Sequence, residues 1–341
     1  MSSGSASVWG QSSSPSSWEE LNSASERAYE AGHYAEAEMF GLDALRLAEA
    51  FVAPDEHLAT SLNNLAVLYR VMGKYTSAEQ MGWKALTQDE KNLGEKQPSV
   101  ARDLENLAEI DEDEAQYVEA EPLHHRAIAI LQKVSKADDP ALAIAGLNLA
   151  RCHANRGSFL EAEPLYLQSL ASLENVLGPE HPTVAIGQGN LALLYQMEGK
   201  YAKAEPLFIH SLGILKKVRG PESVETARAS KNLAGLYSLQ GKNEAAQQLY
   251  NQALPVFQKI LGPEHAEVAL VFNNLGTLDY KSGRYAEAER SFRPALAITE
   301  KVLGPDHPAV APCLMDLADI LAIQSHQVDV EPLYLRAVAI T

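Results

Sequence analysis

"NLALLYQMEGKYAKAEPL", residues 190–207, has a near copy beginning at residue 232, "NLAGLYSLQGKNEAAQQL", and another at residue 148, "NLARCHANRGSFLEAEPL". The copies start 42 residues apart. The same step links a whole column of anchors, Asn64, Asn106, Asn148, Asn190, Asn232 and Asn274, each followed by Leu and a small residue, and it ends on Asp316-Leu317-Ala318. A second column reads Gly73, Ala115, Gly157, Gly199, Gly241, Gly283, Ser325, and a third is Ala78, Ala120, Ala162, Ala204, Ala246, Ala288, Val330. Three columns keeping one period without insertion or deletion define an internal repeat. An internal repeat means stacked supersecondary units rather than the two ordinary domains that the length would suggest.

Each unit reads as a pair of helices. In 182–198, Val184, Leu191, Leu194 and Tyr195 recur at helical spacing, and Gly199 ends the helix because glycine enters the left-handed region without a Cβ clash. Ala204, Leu207, Phe208, Leu212 and Leu215 mark a second helix of about 18 residues, roughly 27 Å long. Pro122, Pro164, Pro206 and Pro332 share one column, expected near the first turn of that helix, where a missing N–H costs nothing. "LGPEHP", 177–182, with relatives at 261–266 and 303–308, supplies a glycine C-cap, a proline that stops the helix and a proline suited to open the next. No unit buries its apolar face alone, so the prediction is an all-α solenoid of about eight hairpins: 18–52, 58–93, 98–135, 140–177, 182–219, 222–261, 264–303 and 306–341. Residues 1–17, rich in Ser and Gly, are expected to form a flexible tail.

The charge is lopsided, with 28 Lys+Arg against 45 Asp+Glu, a formal −17. Such a surface repels phosphate backbones and anionic lipids, which argues against nucleic acid and membrane binding. No apolar run is long enough to span a bilayer, and the N-terminus lacks the basic and apolar regions of a signal peptide. Two distant cysteines, Cys152 and Cys313, make no disulfide framework, so a reducing cytoplasm is the expected setting.

At the "NLAxLY…GxYxxAE" pattern the chain resembles the tetratricopeptide repeat family, and its 42-residue period with "LGPEHP" linkers resembles the kinesin light chain type within it. The resemblance covers 58–341 well and 18–52 weakly. It implies a right-handed superhelix whose first helices line a concave groove. There the Asn column hydrogen-bonds the backbone of a bound peptide, a task suited to an amide that both donates and accepts. Asn106, Asn148, Asn190, Asn232 and Asn274 match, as does Asn64, whereas Asp316 departs. The competing role for these amides is to brace the neighbouring repeat. Specificity is expected one residue before the anchor, three after, and six or seven after, where the repeats differ. The candidates are Arg151, Gln196, Arg228, Lys231 and Lys281, set against an acid cluster of Glu105, Glu109, Glu112 and Asp113. The groove should therefore run from acidic to neutral or basic, which would orient a protein or peptide ligand. Asp111 and Glu114 read as a solvated face.

Other motifs point away from chemistry. His181, His265 and His307 share one linker column and His57 sits in the equivalent place, and equivalent residues of successive hairpins are two helix layers, roughly 16–20 Å, apart. They read as turn residues, because a zinc ion needs its ligands at about 2 Å. His124-His125 in "PLHHRAI" has no third ligand at a matching spacing, so no metal is expected. "GQGNLA", 187–192, fits a dinucleotide fingerprint in letters only, since it lies inside a helix with no strand before it. Its glycines are expected to weaken that helix by roughly 1 kcal/mol each and to open the groove. With no nucleophile elbow, P-loop or HExxH, the expectation is a non-enzymatic adaptor or scaffold without cofactor. The alternative is the sensor or oligomerisation arm of a larger signalling protein or enzyme. Ser23-Ala24 in place of the anchor and a step of 41 mark 18–52 as an N-terminal cap. At the other end, Leu335, Val338 and Ile340 lack a covering helix and could support self-association.

Overall fold

The computed structural model describes residues 17–30, 33–51, 56–136, 139–324 and 327–340. Residues 1–16 of the expected tail, and Ser325 of the glycine column, lie outside them. Among the described residues sixteen helices follow one another in pairs. They are α1 (Trp18–Glu30) and α2 (Tyr34–Glu49), α3 (Glu56–Val71) and α4 (Tyr75–Leu93), α5 (Pro98–Asp113) and α6 (Tyr117–Val134), and α7 (Pro140–Arg156) and α8 (Phe159–Leu177). Then come α9 (Pro182–Met197) and α10 (Tyr201–Val218), α11 (Val224–Leu239) and α12 (Asn243–Ile260), α13 (Ala266–Lys281) and α14 (Tyr285–Leu303), and α15 (Val310–Ile323) and α16 (Gln327–Ile340).

Local chemistry explains the ends of these helices. Ser17, the last residue of the expected tail, instead caps α1. Its hydroxyl accepts from the Glu20 N–H while the Glu20 carboxylate accepts from the Ser17 N–H, a reciprocal capping box. Asp139 and Ser223 cap α7 and α11 in the ordinary way. The linker histidines do the same work with a ring nitrogen: Nδ1 of His181, His265 and His307 accepts from the N–H two residues on. Between paired helices Gly73, Gly157, Gly199, Gly241 and Gly283 sit at positive φ, and Ala115 is forced into the same conformation at φ 61°.

The proline column is a correction. Pro122, Pro164 and Pro206 occupy the sixth position of α6, α8 and α10, beyond the first turn. Each ring lies on the exposed face, and the residue four earlier (Val118, Leu160, Ala202) is exposed as well, so water can take up the carbonyl that loses its partner.

The small column is what lets helices approach. Ala78, Ala120, Ala162, Ala204, Ala246 and Ala288 are each 0 % exposed. Within a hairpin, large residues such as Leu194, Tyr166, Phe208 and Leu215 fill the space around them. First helices also touch the next first helix from α1 through α13, whereas second helices show no comparable contact among the described residues. The first helices therefore form the inner, concave wall and the second helices fan out on the convex side. A ladder of charge pairs accompanies the stacking. A Glu near the start of one second helix meets a cation just after the turn glycine of the following hairpin, as in Glu38–Lys74 (2.8 Å) and Glu205–Lys242 (2.8 Å).

The coil returns to itself. The Tyr34 ring, at the first hairpin, lies 6.4 Å from the His265 ring at the start of the seventh. A Cβ on Gly73 would stand 3.7 Å from Val302 of α14. At the far end, Leu335 and Val338 of α16 remain exposed at 64 % and 72 %.

Candidate functional site

The concave stripe follows from helical geometry. Residues four before, at, three after and seven after each anchor share one face, because those offsets lie close to whole numbers of helical turns. On α9 the stripe is Ile186, Asn190, Leu193 and Met197, and on α11 it is Arg228, Asn232, Gly235 and Leu239. On α7 it is Ile144, Asn148, Arg151 and Asn155, and on α13 Leu270, Asn274, Thr277 and Lys281.

The structure divides the Asn column in two. Asn64 donates to Asn22, Asn106 to Asn63 (2.7 Å) and Asn148 to Glu105 (2.6 Å), each acceptor lying one position before the anchor of the preceding hairpin. These amides brace neighbouring repeats. The bond to Asn22 also confirms the 41-residue step, since it makes Ser23 the anchor of the first hairpin. At Asp316 the roles are exchanged, with Asn273 supplying the hydrogen bond to the carboxylate. Asn190, Asn232 and Asn274 face Leu147, Gly189 and Lys231 at the bracing position. They are half-buried and make no side-chain hydrogen bond among the described residues.

The acid cluster differs from the expected acidic mouth, because neighbouring hairpins neutralise it. Arg70 of the second hairpin pairs with Glu109 (2.8 Å) and Asp113 (3.2 Å). Arg151 of the fourth stands 3.5 Å from both Glu109 and Glu112. His124, 0 % exposed, bridges Glu105 (3.1 Å) and Glu112 (2.9 Å). Burial alone would push this imidazole down, but hydrogen bonds and charge from the two carboxylates outweigh it and hold its pKa at about 9. The cluster is thus a fixed polar network with His124 protonated at neutral pH. Asp111 is likewise not a freely solvated acid, because burial, with Glu79, Glu114 and Glu119 nearby, raises it to about 6.

The basic end is also partly spent. Arg228 and Lys231 share Glu267, at 2.8 and 2.7 Å, and their charges hold that carboxyl low against the opposing effect of burial. Arg228 also acts on Tyr29 and Tyr34, placing it at the seam where the coil closes. Lys281 is exposed and has no ion pair among the described residues. The Gln196 Oε1 is buried without a hydrogen-bond partner.

Apolar exposure on the concave stripe is not among the features expected from the sequence. Ile186, Met197, Leu239 and Leu270 are 45–52 % exposed on the stripe, flanking the unpaired amides. Only the offset of four before the anchor, paired with seven after, could have found them. Gly187 does not open the groove as expected. It is buried, and a Cβ there would stand 2.8 Å from both Leu147 and Leu170, so it serves close packing.

No curated protein sequence matches the chain. Among solved structures it resembles a kinesin light chain-like protein with nearly identical TPR-like repeats from Podosopora anserina, at 26 % identity over 61 % of this chain and 98 % of that one, TM-score 0.47. It also resembles a Rap protein complexed with competence and sporulation factor, at 13 % identity over 95 % and 98 %, TM-score 0.60. A third is a signal transduction ATPase with numerous domains from Pyrococcus horikoshii, which carries a tetratricopeptide repeat sensor. There the identity is 14 %, the coverage 95 % of this chain and 48 % of that one, and the TM-score 0.58. The tetratricopeptide repeat family model matches residues 57–133, 141–217, 183–259, 246–301 and 267–341, most of the chain. With its paired helices, its 42-residue register and its glycine turns, the chain belongs to the tetratricopeptide repeat family.

Proposed function

We propose that this protein is a non-enzymatic adaptor that holds an extended peptide, or a partner helix, in its concave groove at the fourth to seventh hairpins. Tetratricopeptide folds commonly mediate protein–protein interaction, and no helix among the described residues is long and apolar enough to cross a membrane. One observation carries the reading: Asn190 and Asn232 are half-buried and unpaired, between exposed Ile186, Met197 and Leu239. An unpaired amide beside apolar surface suits a backbone that brings both a carbonyl and an N–H, with apolar side chains packing alongside. Gln196 adds a buried acceptor and Asn274 a third amide, while Lys281, Arg228 and Lys231 favour an acidic segment towards α13. Arg151, Asn148 and Asn106 shape the wall without contacting the ligand directly. The proposed setting is the cytoplasm, with no nucleic acid, membrane or cofactor involved.

The test is partner capture by the chain beside an Asn190→Ala/Asn232→Ala double variant whose helicity and melting match the parent. A partner bound by the parent and lost by the variant is the expected result. Equal capture by both would move binding off the groove. A second reading, an arm of a larger signalling protein or enzyme, draws on the exposed Leu335 and Val338 of α16. Light scattering separates the two, since self-association abolished by Leu335→Glu favours the arm.

A further inference from the structure

The "PLHHRAI" stretch has no third ligand along the chain, but packing provides one. Glu121 and His125 lie one turn apart on α6, and α7 lays His153 beside them. Glu121 Oε1 stands 3.8 Å from His125 Nε2 and 4.0 Å from His153 Nε2, and the three donor atoms lie within 4.8 Å of one another. His153 is 7 % exposed, its Nδ1 is buried without a partner, and its Nε2 approaches the carboxylate no closer than that 4.0 Å. The Nε2 that faces the Glu121 carboxylate makes no hydrogen bond among the described residues, so its lone pair is open to a metal ion.

The repeat itself shows that this joint is built differently. At two other joints the same Glu is occupied by a tyrosine and a lysine of the next hairpin. Glu163 takes the Tyr195 hydroxyl at 2.7 Å and Lys200 at 3.8 Å. Glu38 takes Lys74, with Tyr69 hydrogen-bonded to it as well. At Glu121 the tyrosine position is His153 and the lysine position is Ser158. Arg156 fills in for the lysine, but it takes the other carboxylate oxygen, Oε2, and so leaves Oε1 turned towards the two imidazoles.

We propose that Glu121, His125 and His153 bind a divalent transition-metal ion of the zinc type, which staples the third hairpin to the fourth. Two imidazoles and a carboxylate are a zinc donor set, with an open fourth position for water on the exposed side. Tetrahedral coordination at about 2 Å places donor atoms about 3.3 Å apart, so the set must contract modestly. The exposed His125 side chain can move to allow it. Arg156 would act as the outer partner that orients the carboxylate. The adjacent buried set of Glu112, His124 and Cys152 is the weaker candidate, because His124 is already satisfied on both nitrogens.

The experiment titrates the untagged full chain with zinc by calorimetry and with cobalt(II) by absorption. One zinc per chain is expected, together with cobalt d–d bands and no thiolate charge-transfer band. His125→Ala and Glu121→Gln should each weaken binding roughly tenfold or more. Because His125 is exposed, its variant should keep the parent's circular dichroism. Amides of α6 and α7 should exchange more slowly in the zinc-loaded parent only. No zinc binding, binding unaffected by His125→Ala, or a thiolate–cobalt band that assigns the ion to Cys152 would each overturn the proposal.

Discussion

Asp103 of α5 is buried to 1 % exposure beside Asp89, itself 2 % exposed, and the one cation near it among the described residues is the half-exposed Arg102 at 3.7 Å. Burial, with Asp89 adding to it and Arg102 opposing, raises its pKa from 3.8 to about 7. Between about pH 4 and 7 the unfolded chain has already released a proton that the folded chain retains. Stability should therefore fall as pH rises through that window and level off above it. A difference of about three pKa units corresponds to about 4 kcal/mol, an upper figure for the loss. Asp103→Asn keeps the site neutral at every pH. It should match the parent below pH 4 and exceed it by up to about 4 kcal/mol at pH 8. A solenoid unfolds repeat by repeat, so the measurement is hydrogen exchange of α4 and α5 amides at both pH values, with urea unfolding alongside. A variant no more stable than the parent at pH 8, or a parent whose stability is flat from pH 4 to 7, would refute the reasoning.

Ala115, held at φ 61°, should be improved by glycine: Ala115→Gly is expected to stabilise the third hairpin by about 1 kcal/mol in urea unfolding. Two helix glycines should respond oppositely to alanine. At Gly276 a Cβ would stand 2.6 Å from the Phe292 ring, so Gly276→Ala costs about 1–3 kcal/mol. At Gly213 nothing lies within 4 Å, so Gly213→Ala gains about 0.5–1 kcal/mol, and thermal melts of the two variants check the sign of each. His124→Ala strands Glu105 and Glu112 without their shared cation and should cost about 3–5 kcal/mol, read as lost protection in α5 and α6 at pH 7.

The repeat, the pairing of helices, the glycine turns and the stripe of anchors were all legible in the sequence. Each depends on residues close in the chain or on a fixed 42-residue step, and helical geometry turns such a step into a column. The capping box at Ser17–Glu20 is equally local, and the apolar positions Ile186 and Met197 belong to the same periodicity, so both are written in the sequence too. What a charge does once its neighbours are stacked was not legible. Glu109 read as an open acid until Arg70 and Arg151 closed on it from the hairpins before and after. Asn106 and Asn190 carry the same letter, but Asn63 one hairpin back makes the first a brace, and Leu147 leaves the second unpaired. His125 lacked a partner until α7 placed His153 beside it, and nothing in the chain foretold that Tyr34 would meet His265. Local propensity and periodicity decide which residues form a helix and which face they share. The angle at which successive hairpins stack, set by side-chain volumes across every joint, decides which charges cancel, which amides stay free and where the coil meets itself.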